Sequence, residues 1–410
     1  MFEQLFERPH AVTRHRTGPL PKEREQYLRH LVDQGMARLT VKPAAEYLLI
    51  VARRLRLENR PGEAIGIAEI ARAARRWGGE RASRCSRQRF LRFATQWLEF
   101  LGRLQRTSVA PGPGAKQILA YADYMRCEQA LSPRTISYRC WTIRGVLRRL
   151  LDEKRSLRDI TINDIDRLLA ERVERYGDAR ITVQTYACTL RTFFRFAEAR
   201  GWCRSGLAAA IKGPRVYSQE PLPVGPSWVD VERLLATTKG DHPIDVRDRA
   251  ILMLLVSHGF RAGEVIWLRL DDFDWEREQL SISRAKSSRV QTYPLSHPVG
   301  EAVLRYLKEV RPRCSHREVF LTCRAPFRPL GAGLWRIVAL RLRHLGVALP
   351  HSGPHALRHA CATHLLSKGL SLKEIGDHLG HRRPDTTRIY TKVDLVGLRR
   401  VADFDLGDLR

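Results

Sequence analysis

The sequence predicts a mainly α-helical fold with a small antiparallel sheet, spread over two to three domains. Three observations carry this expectation. Apolar residues recur at helical intervals through most of the 410 residues. One stretch, QLSISRAKSSRVQTYPL, instead alternates apolar and polar side chains around a polar centre, as two strands and a tight turn would. Two breaks rich in proline and glycine, 108–115 (SVAPGPGA) and 212–227 (KGPRVYSQEPLPVGPS), forbid a continuous helix. They divide the chain into a basic helical region 1–110, a helical segment 113–212, a linker 213–227 and a C-terminal segment 228–410.

The first region reads as helices over KPAAEYLLIVARRLRL, GIAEIARAARRWGGERASR and RQRFLRFATQWLEFLGRL, and two roles fit it: an accessory DNA-binding or protein-contact module, or a scaffold for the next segment. Segment 113–212 reads as about four helices. One has Ser132 as N-cap and Pro133 at its first position, with Ile136, Cys140, Ile143, Leu147 and Leu150 at helical spacing. TINDIDRLLAERVERYG and ARITVQTYACTLRTFFRFAEARG follow, the latter aligning Val183, Tyr186, Leu190, Phe193 and Ala197. An apolar stripe with arginines opposite suits a compact bundle laid against a polyanion.

Beyond the linker, Ser227 and Asp230 form the capping pattern of a new helix. RDRAILMLLVSHG is an apolar helix that Gly259 closes, and Arg261 lies just past that cap, with Glu264 three residues on to orient its guanidinium. The hairpin tip then carries Arg284, Lys286, Ser287, Ser288 and Arg289, a basic tip able to enter a DNA groove. A helix from Pro354 to Gly369 places His355 and Arg358 on one face. SLKEIGDHLG is a second short helix, after which Gly380 turns the chain and presents His381. Pro384 forces a fresh start, so DTTRIYTKV is a separate helix with Tyr390 on its second turn. In the tail, Leu395, Leu398 and Val401 form a short apolar stripe.

The order Arg261, Lys286, His355, Arg358, His381, Tyr390 is the inventory that phosphodiester exchange needs without a metal or ATP. A phosphodiester repels an oxygen nucleophile, and its charge gathers on the equatorial oxygens in the transition state, so fixed cations must meet it. Arg261 and Arg358 suit that task because a guanidinium is planar, charged and bidentate. Lys286 is the candidate acid for the leaving 5′ oxygen, His355 handles the tyrosine proton, and His381 hydrogen-bonds a phosphate oxygen. Tyr390 is the nucleophile, and a phosphotyrosyl link conserves the bond energy for rejoining. His359, His364 and His378 read as packing or phosphate-backbone contacts and not as chemistry. Any one of these residues alone is ordinarily structural; the ordered set is the signal.

These residues resemble the tyrosine recombinases, or phage integrase family, over roughly 113–400. The six positions match in order, with gaps of 25 residues from Arg261 to Lys286, 23 from Arg358 to His381 and 9 from His381 to Tyr390. Phe260 stands where leucine is commoner in the family, and region 1–110 matches no usual arm-binding domain. The resemblance implies a helical, SAM-like core-binding domain over 113–212 and a mixed α/β catalytic domain after it. It also implies strand exchange between two double-stranded DNA sites held by a homotetramer, with no cofactor, and a tail docking either on a neighbouring protomer or in cis.

Composition agrees with a DNA partner. There are 72 Lys and Arg against 44 Asp and Glu, a formal charge of +28, which implies salt-dependent phosphate binding but neither specificity nor catalysis. The eight cysteines form no CxxC pair and read as reduced thiols, and no membrane span or signal-peptide core is visible, so a cytoplasmic, nucleoid-associated protein is expected. Three rival readings share parts of this pattern. A type IB topoisomerase would relax one duplex without synapsis; a metal-dependent nuclease or transposase using Asp271, Asp272, Asp274 and Glu276 would fail in chelator; a non-catalytic DNA-binding protein would form no covalent adduct.

Overall fold

The structure is a computed structural model that describes residues 1–78, 84–105, 112–151, 155–217, 224–284, 290–331, 333–381 and 385–393. Its chain contacts group into two compact units: one from Met1–Glu63, Ala73–Gly102 and the described part of Pro221–Arg410, the other from Ala64–Arg72 and the described part of Arg103–Glu220. The expected mainly helical fold with a small sheet is what is found.

In the second unit, the helices Ala115–Cys127, Pro133–Leu150, Ile162–Glu174 and Arg180–Ala199 are followed by the short turn Leu207–Ala210. Their boundaries follow local chemistry. The Ser132 hydroxyl accepts from the Thr135 N–H at 3.3 Å with Pro133 at the first position, and Thr161 with Asp164 forms a reciprocal capping box. The apolar stripes read from the sequence close on one core, in which Ile143, Leu147, Leu190, Phe193 and Phe194 are fully buried. Ile65–Gly66 and Leu104–Gln105 pair as a two-residue parallel ladder, which the sequence pattern did not suggest.

In the first unit, the N-terminal helices are Phe2–Leu5, Pro9–Arg16, Pro21–Asp33, Arg38–Arg54 and Arg84–Phe100, and Ile67–Gly78 begins in the other unit. The three helices before residue 38 escaped the sequence reading. They are short or, as in PKEREQYLRHLVD, rich in charge, so their apolar period is faint. The Arg38–Arg54 helix also starts earlier than its Pro43 suggested. That proline leaves one carbonyl in the helix's exposed first turn to water, where Leu39 is 89% exposed.

The C-terminal part of this unit is organised around Pro243–His258, a helix buried on most of its circumference. Leu252, Leu254 and Leu255 pack with Val265, Leu280, Val303, Phe320, Val338 and Leu357 in one core, and Phe260 joins it. Truncating one such leucine to alanine costs about 2–5 kcal/mol. Gln279–Ser283 and Val290–Pro294 form the expected antiparallel hairpin, extended on the other edge by Phe273–Asp274. The helices His297–Arg305, Gly333–His344, Pro354–Ser367 and Leu372–Leu379 follow. The last described segment departs from expectation. Asp385–Arg388 is a single α turn, and the chain tightens to a 3-10 turn over Ile389–Val393, so Tyr390 does not sit on a continuous helix.

Candidate active site

Arg358 is the hub of the site. It is 1% exposed, and its guanidinium donates from Nη1 to the Gly259 carbonyl at 2.6 Å and from Nη2 to the Leu379 carbonyl at 2.8 Å. Those carbonyls belong to the residues two before Arg261 and two before His381. One buried side chain thus ties together segments more than a hundred residues apart in sequence. Burial, then the neighbouring Arg261, pulls the guanidinium down to about 10, so it stays charged at neutral pH.

Arg261 is held by Glu264, as its spacing suggested. Glu264 Oε1 accepts from Arg261 Nη1 at 2.9 Å, while Oε2 accepts the Arg261 backbone N–H at 2.8 Å and so caps the short helix Ala262–Ile266. The Arg261 side chain is 43% exposed, so one guanidinium of the pair is solvent-facing and the other interior.

Glu264 also meets Arg284. The Arg284 Nε lies 3.3 Å from Glu264 Oε1, and its Nη2 donates to the Tyr293 hydroxyl at 2.5 Å; that hydroxyl donates onward to the His378 carbonyl at 2.8 Å. Expected on an open hairpin tip, the Arg284 side chain is instead folded inward and nearly buried, because a carboxylate and a phenol compensate its charge there. Lys286 and Arg289 lie outside the described residues, as do Leu395, Leu398 and Val401.

Gly380 makes the closure possible for two separate reasons. Its φ of 63° is left-handed, ending the Leu372–Leu379 helix, and a Cβ there would fall 0.9 Å from Arg284 Nη1. His381 follows directly. Its Nδ1 is 2.8 Å from the Thr387 hydroxyl, and burial, then Arg358, Arg261 and Arg284, lowers its pKa to about 3, so the ring is neutral. With the hydroxyl donating to Nδ1, the ring's own hydrogen sits on Nε2, available to a phosphate oxygen. Thr387 is 3% exposed; from sequence it reads only as part of the first turn of its helix.

His355 is on the exposed side of the Pro354–Ser367 helix, its pKa lowered by partial desolvation and then by Arg358 and Arg261. Tyr390 is 2% exposed, packed with Ala362, Ile375 and Leu379. Its hydroxyl is 3.0 Å from Nδ1 of His359, a residue read from sequence as a packing or phosphate-backbone contact. The missed signal was spacing: His359 stands one helical turn after His355 and next to Arg358. Burial pushes the phenol up to about 12, with Arg358 partly offsetting it.

The acidic run is otherwise engaged. Asp271 pairs with Arg317, Asp272 accepts the Arg269 N–H at 2.7 Å, and Asp274 accepts the Arg277 N–H at 3.0 Å. Among the described residues no cluster of three or more histidine, cysteine or acidic side chains could hold a metal ion, and no helix is long and apolar enough to cross a membrane.

Known proteins give the arrangement a context. Residues 229–395 match the phage integrase family, and residues 118–201 match the phage integrase N-terminal SAM-like domain. A putative integrase/recombinase, y4rA of Sinorhizobium fredii (strain NBRC 101917 / NGR234), is 38% identical over 295 residues, which cover 71% of this chain and 71% of the relative. Tyrosine recombinase XerC of Alcanivorax borkumensis is 31% identical over 292 residues, covering 69% of this chain and 91% of the relative. The XerH site-specific recombinase bound to its difH substrate in a pre-cleavage complex shares the fold, with a TM-score of 0.52 at 17% identity, over 88% of this chain and 96% of that one. A Tn1549 transposon integrase in complex with circular intermediate DNA does so with a TM-score of 0.51 at 19% identity, over 70% and 99%.

Proposed function

The chain belongs to the phage integrase family, the tyrosine recombinases, and on that premise we propose that it breaks and rejoins double-stranded DNA through Tyr390. Tyr390 attacks the scissile phosphate, leaving a 3′-phosphotyrosyl link and a free 5′ hydroxyl, and a second DNA end later attacks that link. Arg261, Arg358 and His381 stabilise the pentavalent phosphorus, His355 handles the phenolic proton, and Lys286 protonates the leaving oxygen. Glu264 sets the direction of Arg261 and anchors the inward-folded Arg284, while Arg289 serves the hairpin that approaches DNA.

The observation that carries this reading is the junction at Arg358. A phosphate-binding pair must be fixed before charge develops, since reorganisation during the step would raise the barrier. Arg358 reaches the carbonyls of Gly259 and Leu379 at once, which fixes the approach of Arg261 and His381 to the same place. The helix Pro133–Leu150 supports a second DNA contact. Arg134, Tyr138, Trp141, Arg144 and Arg148 line its solvent face, with Trp141 69% exposed. Segment 113–212 then acts as the core-binding domain, 228–410 as the catalytic domain and 213–227 as their linker. Region 1–110 is an accessory module, four protomers hold two sites, and the protein works on the nucleoid.

The test is covalent trapping on nicked duplexes made from the DNA flanking the gene. Wild type forms a denaturant-resistant conjugate in the presence of chelator and without ATP, and Tyr390→Phe forms none. A conjugate on the phenylalanine protein would refute the assignment.

A further inference from the structure

We propose that His359 is the positioning residue that holds the nucleophile at rest: its Nδ1 accepts the Tyr390 hydroxyl hydrogen, keeps the phenol docked in an apolar pocket, and releases it before attack. The inference rests on Tyr390 being the nucleophile and adds where that nucleophile waits.

The geometry is specific. Tyr390 Oη lies 3.0 Å from His359 Nδ1, the ring centroids are 5.7 Å apart and the planes are inclined by 60°, so the imidazole and phenol meet edge to face and not as a stack. The phenol is 2% exposed, among Ala362, Ile375 and Leu379, with Leu365, Leu366 and Ile389 around them. A hydroxyl buried in such surroundings needs a partner, and among the described residues His359 supplies it.

The direction of the hydrogen bond follows from acidity. Burial keeps the phenol protonated, its pKa about 12, and burial followed by His355 and Arg358 holds the His359 ring at about 4, hence neutral. Between a neutral phenol and a neutral imidazole, the O–H is the stronger acid and the bare ring nitrogen the stronger base. Tyr390 therefore donates, and His359 carries its hydrogen on Nε2.

Adjacent positions of one helix do opposite jobs here. Arg358 turns its guanidinium to the Gly259 and Leu379 carbonyls, whereas the next side chain, about 100° round the helix, takes the nucleophile. The hydroxyl is thus bonded to His359 and not to the arginines that would meet the phosphate. A duplex phosphate cannot enter a site that exposes 2% of the phenol, so the Tyr390 turn has to leave His359 for cleavage to occur. That turn is short: four α residues and five 3-10 residues.

Two measurements on the full chain test this. In single-turnover trapping on the nicked flanking duplex, His359→Phe keeps a ring but removes the acceptor, and adduct formation rises about threefold to tenfold, the range one neutral hydrogen bond covers. His359→Asn, which returns an acceptor near the same place, brings the rate back toward wild type. An unchanged or slower phenylalanine protein overturns the proposal. Without DNA, the nitrogen-15 NMR shift of His359 Nδ1 reports an unprotonated, hydrogen-bonded nitrogen that moves in Tyr390→Phe; a proton-bearing Nδ1, or no movement, overturns it. If wild type itself forms no adduct, the nucleophile assignment fails instead, and the NMR measurement still judges the His359 contact.

Discussion

The arginine cluster and Tyr390, the proposed nucleophile, are held in opposite ways. Arg358, Arg261 and Arg284 are fixed by carbonyls, a shared carboxylate and a phenol, and each lies within two residues of one common core, at Leu357, Phe260 and Ile282. Tyr390 hangs on a nine-residue turn and is fixed by apolar packing and one hydrogen bond to His359. Stabilising a transition-state charge demands groups that do not move, whereas a nucleophile that must give way to an incoming DNA end needs a low barrier to leaving its place. On the proposed assignment, this difference between the two regions would let one site both cut and rejoin.

The largest expected effect comes from breaking the fixed half. Arg358→Lys keeps a charge but cannot span the two carbonyls, so the trapping rate falls by about 100-fold or more, and the guanidinium chloride midpoint drops by an amount equivalent to about 2–4 kcal/mol. A lysine protein that cleaves at the wild-type rate would show that the cage needs no such junction. Next is Gly380→Ala, which puts a methyl group where the Arg284 guanidinium lies and forces a left-handed residue to carry a Cβ. Denaturant unfolding should register a loss of about 1–3 kcal/mol together with slower cleavage. Alanine tolerated without loss of either would mean that Arg284 is free to swing away.

Smaller effects sharpen the comparison. Thr387→Val removes the hydroxyl that fixes the His381 tautomer while keeping its volume, and the single-turnover rate should fall about threefold to tenfold with folding stability nearly kept. Equal losses of rate and stability would make Thr387 a packing residue only. Acidification acts last and on the histidines around the cage. His381 and His359 titrate in the folded protein at about 3 and about 4, below the unfolded value near 6.5, so the unfolded chain binds more protons between these limits. Their contribution to stability is complete above about pH 6.5 and is lost as pH falls through about 4 for His359 and about 3 for His381. The thermal midpoint should decline from pH 6.5 to 5, before carboxylates titrate, and His381→Asn should flatten that decline; an unaltered slope would place the linkage elsewhere.

Much of this was legible in one dimension because the signals are local. Ser132, Ser227 and Gly259 each mark a helix end through a bond or dihedral made within a few residues, and the Arg261–Glu264 pair follows from a three-residue spacing. The alternation around the hairpin likewise fixed its strands. What escaped depends on partners distant in sequence. Arg284 turns inward because Glu264 and Tyr293 await it, and Tyr293 is placed by the His378 carbonyl on another helix. The three helices before residue 38 were hidden for another reason, since short charged segments gain their helicity from packing and not from their own period.

By itself the sequence determined the chemistry on offer: which cations, which phenol, and the order in which helices and strands would present them. That much is set by residue type and short-range spacing. Only the tertiary structure decided how those groups are held. Arg358 became a junction because two carbonyls from separate segments converge on it. Tyr390 came to rest on His359 and away from the arginines because a buried hydroxyl takes the nearest acceptor that folding provides.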